Sequence, residues 1–501
     1  EAVGQVREIS DKARKAQDPA IHKSAGLPRY APLNINNVIT WSRSDGQSNH
    51  TPNRADGAYY PRGTANVIFQ DGLIWGAKAF LDPDHTQPVG FQPIRIGGAL
   101  YGVGTRAGWV ISGGEFAVPV DPDHPRARIF RIRRDYAEMS EDELRRDASE
   151  YYERHISDVS NTMMESVRRQ YDTDWNEWPV HLGAPYIERN GVPGYQPPPP
   201  FGDLFTADSL IAGRYDEPGL AGVNPDNVAD QVLWMVYNDL DTITTTYLLG
   251  SHPLGLEIQK TVWGYRSLSS FGNMYFTRHR IINKGGVNTG AGIGALFLDS
   301  MYVGQFSDPD IGSYRDDLAG CDTLLQMGFA YNGNTSDEVF AGYGLPPPSV
   351  GYVVVLGPAV SSPGDSGVVD MKWRNGVRNL PATSFCYFPS GSPYSFPPGG
   401  PDAYFVGSGR WWKLLRGYAP IGDFASGDIP YAHGPYPESK FPLSGDPVTR
   451  TGFIDGLGTS YSFPPGDTQI LLNSGPFSLA PGESREIVMA VVFGLGADNL
   501  S

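Results

Sequence analysis

Four strand-length apolar segments follow one another between residues 232 and 283: Val232–Asn238, Thr242–Leu249, Leu256–Tyr265 and Met274–Asn283. Turn signals separate them at roughly ten- to fifteen-residue intervals, the spacing of an antiparallel sandwich. Gly351–Leu356 and Glu486–Phe493 read as further buried strands, and Ile129–Arg133 alternates apolar with basic residues, as a half-buried strand does. With 61 glycines and 43 prolines, the 501-residue chain is rich in turns. Its 23 Phe, 27 Tyr and 10 Trp give it far more to bury than a disordered chain has. The fold class expected is mostly β: antiparallel β-sandwich domains with long Gly/Pro/aromatic loops and one amphipathic helix near 140–171.

That helix starts at a capping box, with Ser140 as N-cap and Glu143 three residues on. Leu144, Ala148, Tyr151, His155, Val159, Met163 and Val167 then recur at three- and four-residue steps. Asn34–Trp41 reads as a strand, and Val67–Phe69 and Leu73–Trp75 as short apolar runs. Pro193–Pro200 reads as a polyproline II spacer. The expected division is an N-terminal helical arm (1–33), a β-rich domain (34–135), a helix plus proline linker (136–200), a sandwich with an acidic loop (201–360) and a loop-rich region ending in strands (361–501). The stretch 360–470 is too long for a structureless loop and should hide short strands or an interface.

The densest chemical signal is acidic. Asp308, Asp310, Asp316, Asp317 and Asp322 fall within fifteen residues, around Gly312. Hard oxygen donors near a glycine turn suit Ca²⁺, although the acidic ligand that closes an EF-hand loop is missing. These five aspartates are the candidate metal ligands; the plainer reading is a solvated acidic loop. A net charge of -16 disfavours nucleic acid, whose phosphates need clustered Lys and Arg. No apolar run approaches the ~20 residues of a membrane helix.

Catalytic candidates are sparse. Gly364-Asp365-Ser366-Gly367 matches the tetrapeptide around a serine nucleophile, but no histidine stands in the matching context, and a turn is the simpler reading. The nine histidines form no metal-binding pair. Asp82-Pro-Asp84-His85 and Asp121-Pro-Asp123-His124 read as Asp-capped turns, with a metal role as the other reading. Glu177 beside Trp175 and Trp178, Asp239 and Asp241 near Trp234, and the pair Trp411-Trp412 are the parts from which a sugar site could be built. Cys321 and Cys386 allow one disulfide or two buried thiols.

Several segments together resemble a family of large exported proteins of Bacteroidetes-, Ignavibacteria- and Chlorobi-like bacteria, often bearing a type IX secretion sorting domain. They are Tyr60–Thr64 with Gly72–Gly76, Gly183–Tyr186, Asp230–Asp239, Gly255–Gln259, Gly272–Phe276, Ile282–Lys284, the acidic stretch to Asp322, and Ser474–Gly482. The resemblance implies export, a β-rich fold and ion binding at Asp308–Asp322, and no established reaction. Two departures stand out: Glu188-Arg-Asn-Gly191 replaces a more acidic run, and no sorting domain follows Ser501.

The leading expectation is a non-enzymatic, secreted, extracellular or cell-surface structural protein. It would self-assemble into a layer, fibre or tube, with Ca²⁺ ordering the acidic loop. Arginine outnumbers lysine 30 to 9, which suits bidentate contacts at interfaces. The alternative is a surface carbohydrate-active enzyme or carbohydrate-binding adhesin with glycans as partners, which requires Trp175, Trp178, Trp411 and Trp412 to line an open cleft.

Overall fold

A computed structural model describes residues 29–53, 57–189, 192–195, 228–389, 394, 396–431, 438–456 and 464–500. The expected N-terminal helix and most of the proline-rich segment lie outside these residues. Strands occupy 40% of the chain and helices 15%, so the protein is mostly β.

The labelled elements, in chain order, are β1 (Gln70–Phe80), β2 (Ile94–Gly98), β3 (Phe130–Arg133), α1 (Glu141–Tyr151), α2 (Asn161–Asn176), β4 (Gln231–Asn238), α3 (Thr242–Leu249), β5 (Leu256–Gly264), β6 (Met274–Asn283) and β7 (Phe297–Asp308). There follow β8 (Asp317–Asp322), β9 (Met327–Asn332), β10 (Ser349–Leu356), β11 (Ala359–Val369), β12 (Lys372–Asn379), β13 (Ser384–Pro389), α4 (Gly409–Leu415), β14 (Thr468–Leu479) and β15 (Ser484–Gly494). A nine-stranded antiparallel sheet runs β3-β4-β5-β6-β15-β10-β9-β8, with Arg106–Ala107 also pairing with β4. A five-stranded antiparallel sheet runs β13-β14-β7-β1-β2.

Alternation along the strands puts these sheets face to face. On β4, Leu233, Met235 and Tyr237 join the core between the sheets; on β15, Ile487, Met489 and Val491 do. Val232, Trp234, Val236 and Val488 point the other way, into a second cluster with Trp175, Trp178, Val180 and Tyr186. The nine-stranded sheet is therefore buried on both faces at that end. The outer face of the five-stranded sheet is covered by α4. Added Cβ atoms on Gly76 and Gly304 would meet Leu415 methyls, at 2.8 Å and 3.3 Å, so these glycines let the helix sit close.

Each large sheet takes strands from 34–135, 201–360 and 361–501 alike, and one hydrophobic core extends from Ala31 to Phe493. The stretch 361–470 contains β12, β13 and α4, and the ribbon β11–β12 crosses its start.

Four local expectations are corrected. The helix at 140–171 is two helices: Ser140 and Glu143 form the capping box of α1, and a 3₁₀ turn at Ile156–Asp158 leads to Ser160, which caps α2. The apolar spacing survives the break because both helices bury it in one cluster of Leu144, Ala148, Val159, Met164, Val167 and Tyr171. Thr242–Leu249 is a helix, because Asp241 accepts from Thr244 N and Gly250 closes the end at φ 75°. Those two caps outweigh the β-branched composition. Asn34–Trp41 is mostly a turn between the paired strands Tyr30–Leu33 and Thr40–Arg43. Finally, β3 is wholly rather than half buried: Arg131 bonds Asp147 at 2.6 Å, and Arg133 bonds Asp135 at 2.6 Å.

Candidate functional site

The five acidic candidates do not form one loop. Asp308 ends β7, and Asp317 to Asp322 is the whole of β8. Asp322, at the far end of β8, accepts from the amides of Leu324 (2.8 Å) and Leu325 (3.0 Å) and serves only its turn. Asp316 accepts from Asn334 Nδ2 at 2.7 Å, and the buried Asp317 from Ile311 N at 3.1 Å. Asp308 and Asp310 do come together, and their third partner is Asp467, more than 150 residues on in the sequence. One carboxylate oxygen from each lies within 4.8 Å of the others. That separation can be spanned by oxygens each about 2.3–2.6 Å from one Ca²⁺.

Second contacts fix this group. Tyr101 Oη donates to Asp308 Oδ2 at 2.8 Å, Gln469 Nε2 donates to Asp308 Oδ1 at 3.1 Å and also to Asp467, and Asn66 Nδ2 donates to the Asp310 carbonyl at 3.0 Å. Burial pushes the Asp467 carboxyl up to about 6. Burial, then the Asp316, Asp337 and Asp467 carboxylates, holds Asp317 well above its usual range. The Tyr101 hydroxyl is likewise raised well above normal, first by burial and then by Asp308. The site is thus a half-buried acidic cluster where β7 ends and β14 begins. Sequence proximity revealed two of its members; Asp467 is placed by the pairing of β14 with β7, which local spacing cannot show.

A second polar group lies on the other side of the same strand. Ser307, next to Asp308, points inward and shares a contact with Tyr352 Oη (2.8 Å), which also donates to Asp71 at 3.0 Å. Asn49 Nδ2 donates to Asp71 at 2.9 Å, and Lys260 donates to Ser48. On β5 and β6, Lys260 stands directly opposite His279 in the register. Asp71, Ser48, Lys260 and His279 line one space between the two sheets, among Val262, Tyr275 and Val491. Burial lowers the Lys260 ammonium to about 8 despite Asp71 and Asp45 nearby. Burial raises Asp71, with Lys260 opposing, and burial plus Lys260 drives His279 well below its usual range, so its ring is neutral near pH 7. The sequence did carry a signal: Lys260 occupies the inward parity of Ile258 and Val262, and His279 that of Tyr275 and Ile281.

The remaining candidates are structural. Trp175, Trp178, Trp411 and Trp412 are 3, 1, 0 and 5% exposed, so none lines the open cleft that the carbohydrate reading required. Glu177 pairs with Arg128 at 3.0 Å, Asp239 accepts three backbone amides from Leu254 to Leu256, and Asp241 caps α3. Ser366 lies in the exposed strand β11, rather than a simple turn, and donates to Asn375 at 2.9 Å. Asp82 accepts from the amides of Thr86 and Gln87, and Asp121 from Asp123 N, as capped turns do. Both cysteines are free and buried. No helix among the described residues is long and apolar enough to cross a membrane. Comparison with known protein families and with curated proteins finds no match for this chain.

Proposed function

We propose that the protein is a non-enzymatic, secreted structural protein that self-assembles at or outside the cell surface. One observation carries this reading. A small hairpin, Val110–Ile111 paired with Val118–Pro119, presents Ile111, Phe116 and Val118 at 51, 72 and 57% exposure. Ile111 and Val118 face each other across the pair, so three large apolar side chains are concentrated in one short hairpin. The hairpin is held firmly: Val110 N donates to Glu257 Oε2 at 2.7 Å, Gly114 N to the Lys284 carbonyl at 2.7 Å, and Gly286 N to the Gly114 carbonyl at 2.9 Å. An ordered apolar knob of this kind is what a contact between copies would cover.

Light scattering and electron microscopy of the wild type and of an Ile111→Ser/Phe116→Ser/Val118→Ser variant test the reading. Concentration-dependent assemblies in the wild type, with a folded monomeric variant, are expected. A wild type that stays monomeric at all concentrations defeats the proposal.

Within this reading, Ca²⁺ orders the acidic cluster, with Asp308, Asp310 and Asp467 as ligands. What supports it is the donor set, three hard carboxylate oxygens at bridging distance. Ca²⁺ is expected to raise Tm at pH 7, chelator to reverse the rise, and Asp467→Asn to abolish it. Because Asp467 takes up a proton near pH 6, the proton competes with the cation. The Ca²⁺-dependent rise should therefore shrink between pH 7 and pH 5. An unchanged Tm across Ca²⁺ concentrations at pH 7 removes the ion from the proposal.

A further inference from the structure

The space beside Lys260 and His279 leaves polar atoms without protein partners. Neither Nδ1 nor Nε2 of His279, nor Oγ1 of Thr277, is hydrogen-bonded to the protein, and all three atoms are buried. His279 is 2% exposed and Thr277 7%. A neutral imidazole offers one N–H donor and one acceptor nitrogen, and a threonine hydroxyl offers both. The Lys260 ammonium has three donors, of which one goes to Ser48.

These side chains line one small cavity between the sheets, together with Thr40, Asp71 and Gln305. The centre of a water molecule can range over about 10 Å³ there, room for one water and too little for an organic ligand. Buried polar groups in folded proteins almost always find a partner, and an apolar cavity stays dry only when no such groups line it. Size, polarity and unmet bonding capacity coincide at this point.

We infer that one water molecule is built into the core of this protein, bonded by His279, Thr277 and Lys260. It joins β5 to β6 through side chains and completes the bonding of the lysine that faces Asp71 across the sandwich. Chloride is the less fitting occupant, because Asp71 and Asp45 already lie within electrostatic reach of Lys260.

A high-resolution crystal structure of the wild type should show one density peak within hydrogen-bond distance of His279, Thr277 Oγ1 and Lys260 Nζ. Oxygen-17 relaxation dispersion in solution should lose the amplitude of one long-lived water in Thr277→Val and retain it in Thr277→Ser. If Thr277→Val does not fold, the wild-type crystals decide alone. A cavity without density that fills with xenon, or a peak that takes on bromide anomalous signal after halide exchange, overturns the inference.

Discussion

Lys260 and Asp71 set a problem of two buried charges held by neighbours on different sheets. Burial outweighs their mutual attraction for each group taken singly. Removing one partner should therefore do more harm than removing both. Lys260→Met is expected to cost ~3–5 kcal/mol in denaturant unfolding, and the double change Asp71→Leu/Lys260→Met less than the sum of the single costs by at least ~2 kcal/mol. Additive costs would show that the two charges do not interact. The pH dependence has a definite sign. Lys260 binds its proton less tightly when folded (about 8) than when unfolded (10.5), so the unfolded chain holds more protons between those values. Wild-type stability measured against Lys260→Met should thus rise by roughly 3 kcal/mol between pH 8 and pH 10.5. At this scale the sequence was legible only in part. A lysine at an inward strand position is visible once the strand is recognised, but its partner Asp71 is 189 residues away and is named only by the packing of one sheet on the other. The cysteines follow the same rule. Cys386, pushed up to about 12 by burial, and Cys321, pushed higher, should ignore a thiol reagent in the native protein and both react in denaturant. Native reactivity of either thiol contradicts their placement.

Secondary structure was most legible where periodicity and caps agreed. The strands of the 231–283 region were recognised as apolar runs of strand length bounded by turn signals, and the start of α1 because Ser140 and Glu143 each bond the other's backbone amide. Errors came where composition and caps disagreed: the run Thr242-Ile-Thr-Thr-Thr favours strand by residue type, yet Asp241 and Gly250 bracket a helix. A break such as that between α1 and α2 leaves no mark in an apolar repeat when both pieces bury the same stripe. Ser160 is the residue that signals it, and Ser160→Ala should cost about 1 kcal/mol of stability by removing the bond to Met163 N. The packing of α4 makes a sharper claim. A methyl on Gly76 would lie 2.5 Å from Ile96 Cδ1 and 2.8 Å from Leu415 Cδ1. Gly76→Ala should therefore destabilise by about 1–3 kcal/mol as the helix is lifted from the sheet; a neutral outcome in thermal unfolding would mean the helix packs more loosely than the contacts indicate.

For the molecule as a whole, composition sufficed for the class and not for the plan. Turn-rich, aromatic-rich sequence does give stacked antiparallel sheets, but the ranges that look separate along the chain interleave in space. Contacts of such long sequence separation make folding slow, because loop closure precedes the gain from burial. The last two strands matter most here. β14 lies between β13 and β7 in one sheet, and β15 lies between β6 and β10 in the other, joined by the short connection around Pro481-Gly482. A nascent chain emerging from the ribosome therefore has the nine-stranded sheet split between β6 and β10, and the edge strand β13 detached from β7, until β14 and β15 appear. Chains ending before residue 468 should be protease-sensitive in both sheets, whereas chains that include β14 and β15 should resist. β14 and β15 thus act as a zip for the strands that precede them, and the two sheets close only once both have been made.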